Sequence, residues 1–260
     1  MPKFAANIDW LFTEVPFVER FGAAAAAGFN GVEFLFPYAH PIGELSNLIN
    51  RYKLKNVLFN LYAGDWKAGE RGIAALPGRE GEFRDSVESA ISYALGLGTR
   101  CLHVLAGIVP PDGNRGECRD LYLANIRYAA NKLAPHGITL LVEAINGYDM
   151  PGYLIQNQYE AFDICMEAGA ENIKMQLDLY HMQMAEGNLA AGLLRYRSAY
   201  AHVQIAGVPG RREPNIGEVN YPYLFSLLDQ LGYDGWVGCE YRPHGCTLEG
   251  LSWRSAALEL

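Results

Sequence analysis

Eight short β-rich runs recur along the whole chain with room for a helix after each, and this spacing constrains the fold more than any single motif. They are "KFAANID" (3–9), "GVEFLF" (31–36), "NVLFNLY" (56–62), "CLHVLAGI" (101–108), "ITLLVEAIN" (138–146), "IKMQLDLY" (173–180), "YAHVQIAG" (200–207) and "GWVGCEY" (235–241). Between them, "EGEFRDSVESAISYALGLG" (80–98) repeats Phe83, Val87, Ile91 and Leu95 at helical spacing, and "LYLANIRYAANKLAPHG" and "YPYLFSLLDQLGY" behave likewise. Gly28, Gly98, Gly137, Gly169 and Gly232 stand where helices would stop ahead of the next strand. Eight strands alternating with about eight helices, with no linker of changed composition, predict an α/β chain forming a single-domain (β/α)8 TIM barrel over 1–260. A doubly wound open sheet is the rival. It would want fewer strands for this length, and the first βα turn, "NIDWLFTEVP", has no G-x-G-x-x-G phosphate cradle.

The chain is 260 residues long and half of them are apolar, enough for one substantial core. Lys+Arg 21 against Asp+Glu 29 gives a net charge of −8, which repels phosphate backbones, so nucleic acid is not an expected partner. Five cysteines with no C-x-x-C pair read as reduced thiols in an intracellular protein. The N-terminus "MPKFAANIDW" has no long apolar stretch behind basic residues, and no run is long enough to span a membrane. A cytoplasmic protein without a membrane partner is expected. Tyr221, Tyr223 and Phe225, expected to be exposed, hint at a homo-oligomer.

Barrel enzymes place their chemistry at the C-terminal ends of the strands and in the loops that follow. The longest such loop, "AGDWKAGERGIAALPGR" after the third strand, reads either as a lid carrying Trp66 or as an ordinary surface excursion. Strand alternation sorts the side chains of the last four strands. With Val142, Ala144, Leu177, Leu179, Val203 and Ile205 turned to the helices, Glu143, Gln176, Asp178, His202 and Gln204 turn inward; Glu240 shares its face with Gly238. Three carboxylates converging in a narrow interior repel one another and lose hydration, at a cost of several kcal/mol unless something positive lies among them. The only cation within these four strand segments is Lys174, at a strand start and so at the wrong end. A divalent cation held by Glu143, Asp178, Gln204 and Glu240 answers the imbalance, and an all-oxygen set suits Mg²⁺ or Mn²⁺ better than zinc. Such a cation between two carboxylates suits proton transfer beside a carbonyl, with one glutamate removing a proton and the other returning it.

Three further residues are candidates for holding a substrate. His181 follows Asp178 by three residues at the barrel mouth, its alternative being a solvent-facing loop histidine. Arg211, seven residues past Gln204, is placed to grip a carboxylate bidentately, or else to pair with Glu213 at the surface. His103 alternates with Leu102 and Val104 and reads as inward, either toward substrate or as a satisfied core histidine. Glu33, inward in the second strand, reads either as a residue supporting the site from behind its ligands or, the preferred reading, as one that simply pairs inside the barrel.

Over nearly its whole length the chain resembles the hydroxypyruvate isomerase and 2-oxo-tetronate isomerase family, within the xylose isomerase-like barrel superfamily. The resemblance rests on "GVEFLFPY", "ALPGRE", "NIRYAA", "LVEA", "YAHVQIAG", "GEVNYP" and "GCEYRP". It implies that Glu143, Asp178, Gln204 and Glu240 are the metal ligands, that Glu143 and Glu240 are the acid/base pair, and that a histidine at 181 contacts a substrate oxygen. The implied reaction converts hydroxypyruvate, a small 2-oxo hydroxy acid, to 2-hydroxy-3-oxopropanoate (tartronate semialdehyde); a 2-oxo-tetronate isomerase or a ketose 3-epimerase is the alternative. The same superfamily contains apurinic-site endonucleases, whose motif after the seventh strand resembles Asp-Arg-His-Glu. "GRRE" (210–213) puts Gly210 and Arg212 where two zinc ligands would stand, which argues against that activity.

Overall fold

The computed structural model describes residues 2–254. Eight strands pair in sequence order, all parallel, and the first closes on the last to form a barrel. They are β1 (Lys3–Asn7), β2 (Gly31–Glu33), β3 (Lys55–Asn60), β4 (Cys101–His103), β5 (Thr139–Glu143), β6 (Ile173–Asp178), β7 (Tyr200–Ile205) and β8 (Trp236–Cys239). The helices among the described residues are α1 (Phe17–Ala26), α2 (Ile42–Arg51), α3 (Glu80–Leu97), α4 (Arg115–Leu133), α5 (Gln158–Ala168), α6 (Leu179–Ala185), α7 (Leu189–Arg195), α8 (Tyr221–Gln230) and α9 (Thr247–Gly250). All eight expected runs contain a strand, and the five helix-stopping glycines all take positive φ.

Two layers of packing set where polar groups can sit. Val142, Leu177, Val203, Ile205 and Cys239 join one large core between barrel and helices. A smaller separate cluster gathers Ala5, Val57, Leu58 and Leu141. Ala5 and Leu141 lie two residues before Asn7 and Glu143 on the same strand faces, so apolar side chains close the barrel floor and leave its C-terminal end to polar ones.

Several expected boundaries move. The second, fourth and eighth runs are trimmed to Gly31–Glu33, Cys101–His103 and Trp236–Cys239, leaving Glu240 just past its strand. The sixth run ends earlier than expected because Asp178 caps α6, its Oδ1 accepting from the Tyr180 amide at 2.8 Å. Leu179 is therefore the first helical residue rather than an outward strand position. The expected exposure of Tyr221 and Phe225 is also corrected. Both are buried, Tyr221 donating to the Ala206 carbonyl and Phe225 packed on Phe4, while Tyr223 alone of the three is exposed. No described helix is long and apolar enough to cross a membrane.

The loop after β3 is tied down at both ends. Gly72 donates to the Ala63 carbonyl and bridges Ala106, Arg79 pairs with Glu70 and Glu82, and Trp66 packs on Phe36 at 5.3 Å.

Candidate active site

A cavity of about 540 Å³ opens at the C-terminal end of the strands; Glu143, His103, Gln176, His181, Arg211 and Glu240 are among the side chains lining it. The strand register sets Glu143 beside Gln176, two residues before Asp178, then Asp178 beside Gln204, and Gln204 beside Gly238, two residues before Glu240. Gln204 joins the line to Glu240, its Nε2 donating to Glu240 Oε2 at 2.6 Å. Alternation thus predicts the facing of all four residues correctly, because burial on the helix side leaves each strand a single apolar face there.

The cation that the strands lack comes from the loop after β7. Arg211 enters from that loop, is 13% exposed, and donates to Glu240 Oε1 at 2.7 Å and Asp178 Oδ2 at 3.3 Å. Its guanidinium lies between the rings of Trp10 (4.7 Å) and Tyr180 (4.8 Å), so it is held by stacking as well as by charge. The alternative partner, Glu213, turns away and accepts from the His244 amide.

One guanidinium does not offset three buried carboxyls. Desolvation, followed by Asp178 and Glu240, holds the Glu143 carboxyl well above the usual carboxylate range. Desolvation also raises Asp178 against the pull of Arg211, and pushes Glu240 up to about 8. Three carboxylates with one arginine leave two negative charges over, which a divalent cation would neutralise. The donor set fits such an ion: Glu143, Asp178 and His181 each offer one ligand atom, all within 4.8 Å of one another.

The two histidines are neutral. Burial, then Arg211 and His103, holds His181 well below its ordinary value, and burial, then His202, lowers His103 to about 3. His181 is not a solvent-facing loop residue but is 3% exposed; its Nδ1 accepts from the Asn146 amide nitrogens, which leaves the proton on Nε2, 3.6 Å from Asp178. His103 Nδ1 lies 3.3 Å from Asn60 Oδ1, and its Nε2 has no hydrogen-bond partner and lies 3.5 Å from Glu143 Oε2. The two rings therefore offer the cavity one donor and one bare acceptor.

Sequence reasoning missed several contributors. Asn7 donates to both Glu33 and Glu240 at 3.1 Å, and Asn60 orients His103. Trp66 and Arg71 reach the cavity from the loop after β3 and Arg242 from the loop after β8, with Arg71 stacked on Trp66 and Arg242 on Trp10. Gln204 stands out as a polar residue within an apolar run, whereas Asn7 and Asn60 are the last residues of β1 and β3 and carry no such signal.

This cavity in a closed eight-stranded barrel is that of a TIM-barrel enzyme, and a family model described as xylose isomerase-like TIM barrel matches residues 21–257. The chain belongs to that family. It is 52% identical over 97% of both chains to a 2-oxo-tetronate isomerase of Cupriavidus necator, and 46% identical over 97% of its length and 98% of the relative's to a hydroxypyruvate isomerase of Escherichia coli. Among solved structures it resembles a Brucella melitensis protein described as AP endonuclease, family 2, at TM-score 0.97 and 52% identity over 98% and 99% of the two chains. These relatives support an isomerase of this family.

Proposed function

We propose that the chain moves the carbonyl of a short 2-oxo-3-hydroxy acid from C2 to C3, acting on 2-oxo-tetronate and on its smaller homologue hydroxypyruvate. What supports the reading most is the pair Glu143 and Glu240, both on one cavity and both raised by burial toward the range where a carboxyl can take and return a proton. The two acids differ only at C3, which bears a hydroxymethyl group in the tetronate and hydrogen in hydroxypyruvate. A cavity of about 540 Å³ has room for the larger group, and the relative at 52% identity carries the tetronate name. Hydroxypyruvate is the second reading, favoured by the relative at 46%.

Glu143, Asp178, Gln204 and Glu240 would hold a divalent ion, Mg²⁺ or Mn²⁺, whose chemistry when bound is to polarise the substrate's oxygens and offset developing negative charge. Gln204 suits the neutral place in that set better than His181, whose Nε2 carries a proton. One glutamate removes the C3 proton and the other delivers a proton to C2; the hydroxyl proton on the C3 oxygen passes to the C2 oxygen. His181 Nε2–H can donate to one oxygen and His103 Nε2 can accept from the other. Arg211 adds fixed positive charge where the enediolate forms, and Trp10 and Tyr180 keep it from turning to solvent.

The Brucella relative's description does not transfer on these residues. Arg212 is tied to the carbonyls of Arg242 and Pro243, and the net charge of −8 does not suit a DNA backbone, so incision of abasic DNA is expected to be absent. The direct test is carbon NMR of each acid incubated with the protein and Mg²⁺. Migration of the carbonyl from C2 to C3 is expected, faster for the tetronate. A carbonyl that stays at C2 while C3 inverts would make the protein an epimerase and overturn the proposal.

A further inference from the structure

Below the cavity lies a second polar group that the proposed chemistry does not use. Glu33, at the end of β2, is fully buried. Its Oε2 lies 2.7 Å from His202 Nε2, and its Oε1 accepts from Gln204 Nε2 at 2.7 Å and from Asn7 Nδ2 at 3.1 Å. Across from it, a Cβ at Gly238 would come within 2.4 Å of both Glu33 oxygens, so the absence of a side chain on β8 makes the space that the carboxylate fills.

The consequence falls on Gln204. The two ends of a primary amide are nearly equal in shape and opposite in chemistry, one donating and one accepting, so the neighbours decide which end faces which way. A carboxylate offers acceptors only. Glu33 therefore takes the NH₂ end, and the carbonyl end is turned to Gln176, whose Nε2 donates to it at 2.6 Å and whose side chain lines the cavity. Glu240 holds the same NH₂ group at 2.6 Å. Glu240 is also a proposed metal ligand, whereas Glu33 is not among the residues lining the cavity and has no other proposed task.

We infer that Glu33, braced by His202 and admitted by Gly238, is a positioning residue that fixes the Gln204 amide with its oxygen, rather than its NH₂ group, toward the metal site. With the amide reversed, the NH₂ group would face the cation and the site would lose its neutral oxygen donor. This inference rests on the proposed metal set. It joins the two readings of Glu33, which finds its partners inside the barrel and would support the site through one of those contacts.

The test is Mn²⁺ affinity of the metal-stripped full chain, read from the EPR signal of free Mn²⁺, with folding followed by circular dichroism. Glu33→Gln, which can offer Gln204 a donor as readily as an acceptor, is expected to weaken Mn²⁺ binding about 10- to 100-fold. Gly238→Ala keeps every polar group and displaces the carboxylate; it is expected to act in the same direction, and it stands in if Glu33→Gln fails to fold. In a Gln204→Ala background either change should alter affinity less than about twofold, because its route is gone. Equal losses with and without Gln204 would assign Glu33 a structural role or a route through Asn7 and overturn the inference, as would wild-type affinity in both variants. A wild type that binds no Mn²⁺ would overturn the metal set itself.

Discussion

At the scale of single residues, Glu143 and Glu240 combine two properties that usually conflict: both are buried, and both must change protonation state in turn. Burial dominates, since Arg211 at 2.7 Å from Glu240 lowers its pKa and still leaves it near 8. Glu143→Gln and Glu240→Gln should each lower kcat by about 10²- to 10⁴-fold, as loss of a general acid or base does. Each also removes charge from an under-compensated cluster, so the metal-free variants should melt no lower than metal-free wild type; a lower melting temperature would mean that contacts such as those of Glu240 with Arg211, Gln204 and Asn7 outweigh the repulsion. Glu143, Asp178, Gln204 and Glu240 were legible because each interrupts an apolar run with a polar side chain. Asn7 and Asn60 were not, because polar residues at strand ends are ordinary. The stacking of Arg211 between Trp10 and Tyr180 was invisible, since it joins the loops after β1 and β7 and the start of α6, which are distant in sequence.

At the scale of elements, recurrence located every strand, but strand ends were overextended wherever apolar residues continue into a loop. The run 101–108 shows why: after His103 the chain leaves the ladder, yet Val104, Leu105 and Ala106 stay buried under the loop after β3. Hydrophobicity marks burial there, not strand. That same loop supplies Trp66 and Arg71 to the cavity and hangs on Gly72, which has φ +120° and lies so close to the Leu105 carbonyl that a Cβ would approach it to 2.5 Å. Gly72→Ala should therefore cost roughly 2 kcal/mol or more of stability and raise KM more than it lowers kcat, because it shifts a wall of the cavity and leaves Glu143 and Glu240 in place. Steady-state kinetics with a thermal melt would show this, and an unchanged KM would separate the loop from substrate binding.

At the scale of the whole molecule, the barrel gathers charge that its own cations do not balance, and that imbalance should govern stability. The Glu240 carboxyl is near 4.5 when unperturbed and about 8 when folded, and Glu143 and Asp178 shift the same way. Between those values the folded metal-free protein holds more protons than the unfolded chain, so stability falls as pH rises. His103 and His181 act oppositely wherever the unfolded imidazoles hold protons and the buried ones do not, an effect that fades about one pH unit above their ordinary 6.5. From about pH 7.5 to 8 the carboxyl effect stands alone, and the melting temperature of chelator-treated protein should fall across that window. Added Mn²⁺ should reverse the fall and release protons as it binds. A flat or rising melting temperature would show that the carboxyls ionise without cost. The (β/α)8 architecture behind this charge pattern was legible in the spacing of the runs; the net electrostatics was not, because Arg211 reaches the centre from a loop.

The measurement closest to the central claim is solvent hydrogen exchange at C3 of the 2-oxo acid in D₂O, followed by NMR with the wild-type holoenzyme, with chelator, and with Glu143→Gln and Glu240→Gln. Deuterium should enter carbon-bound positions with the wild type and fall to the background rate in the other three samples. Exchange that survives chelation and both substitutions would contradict the assignment of a metal-assisted proton transfer to this pair of glutamates.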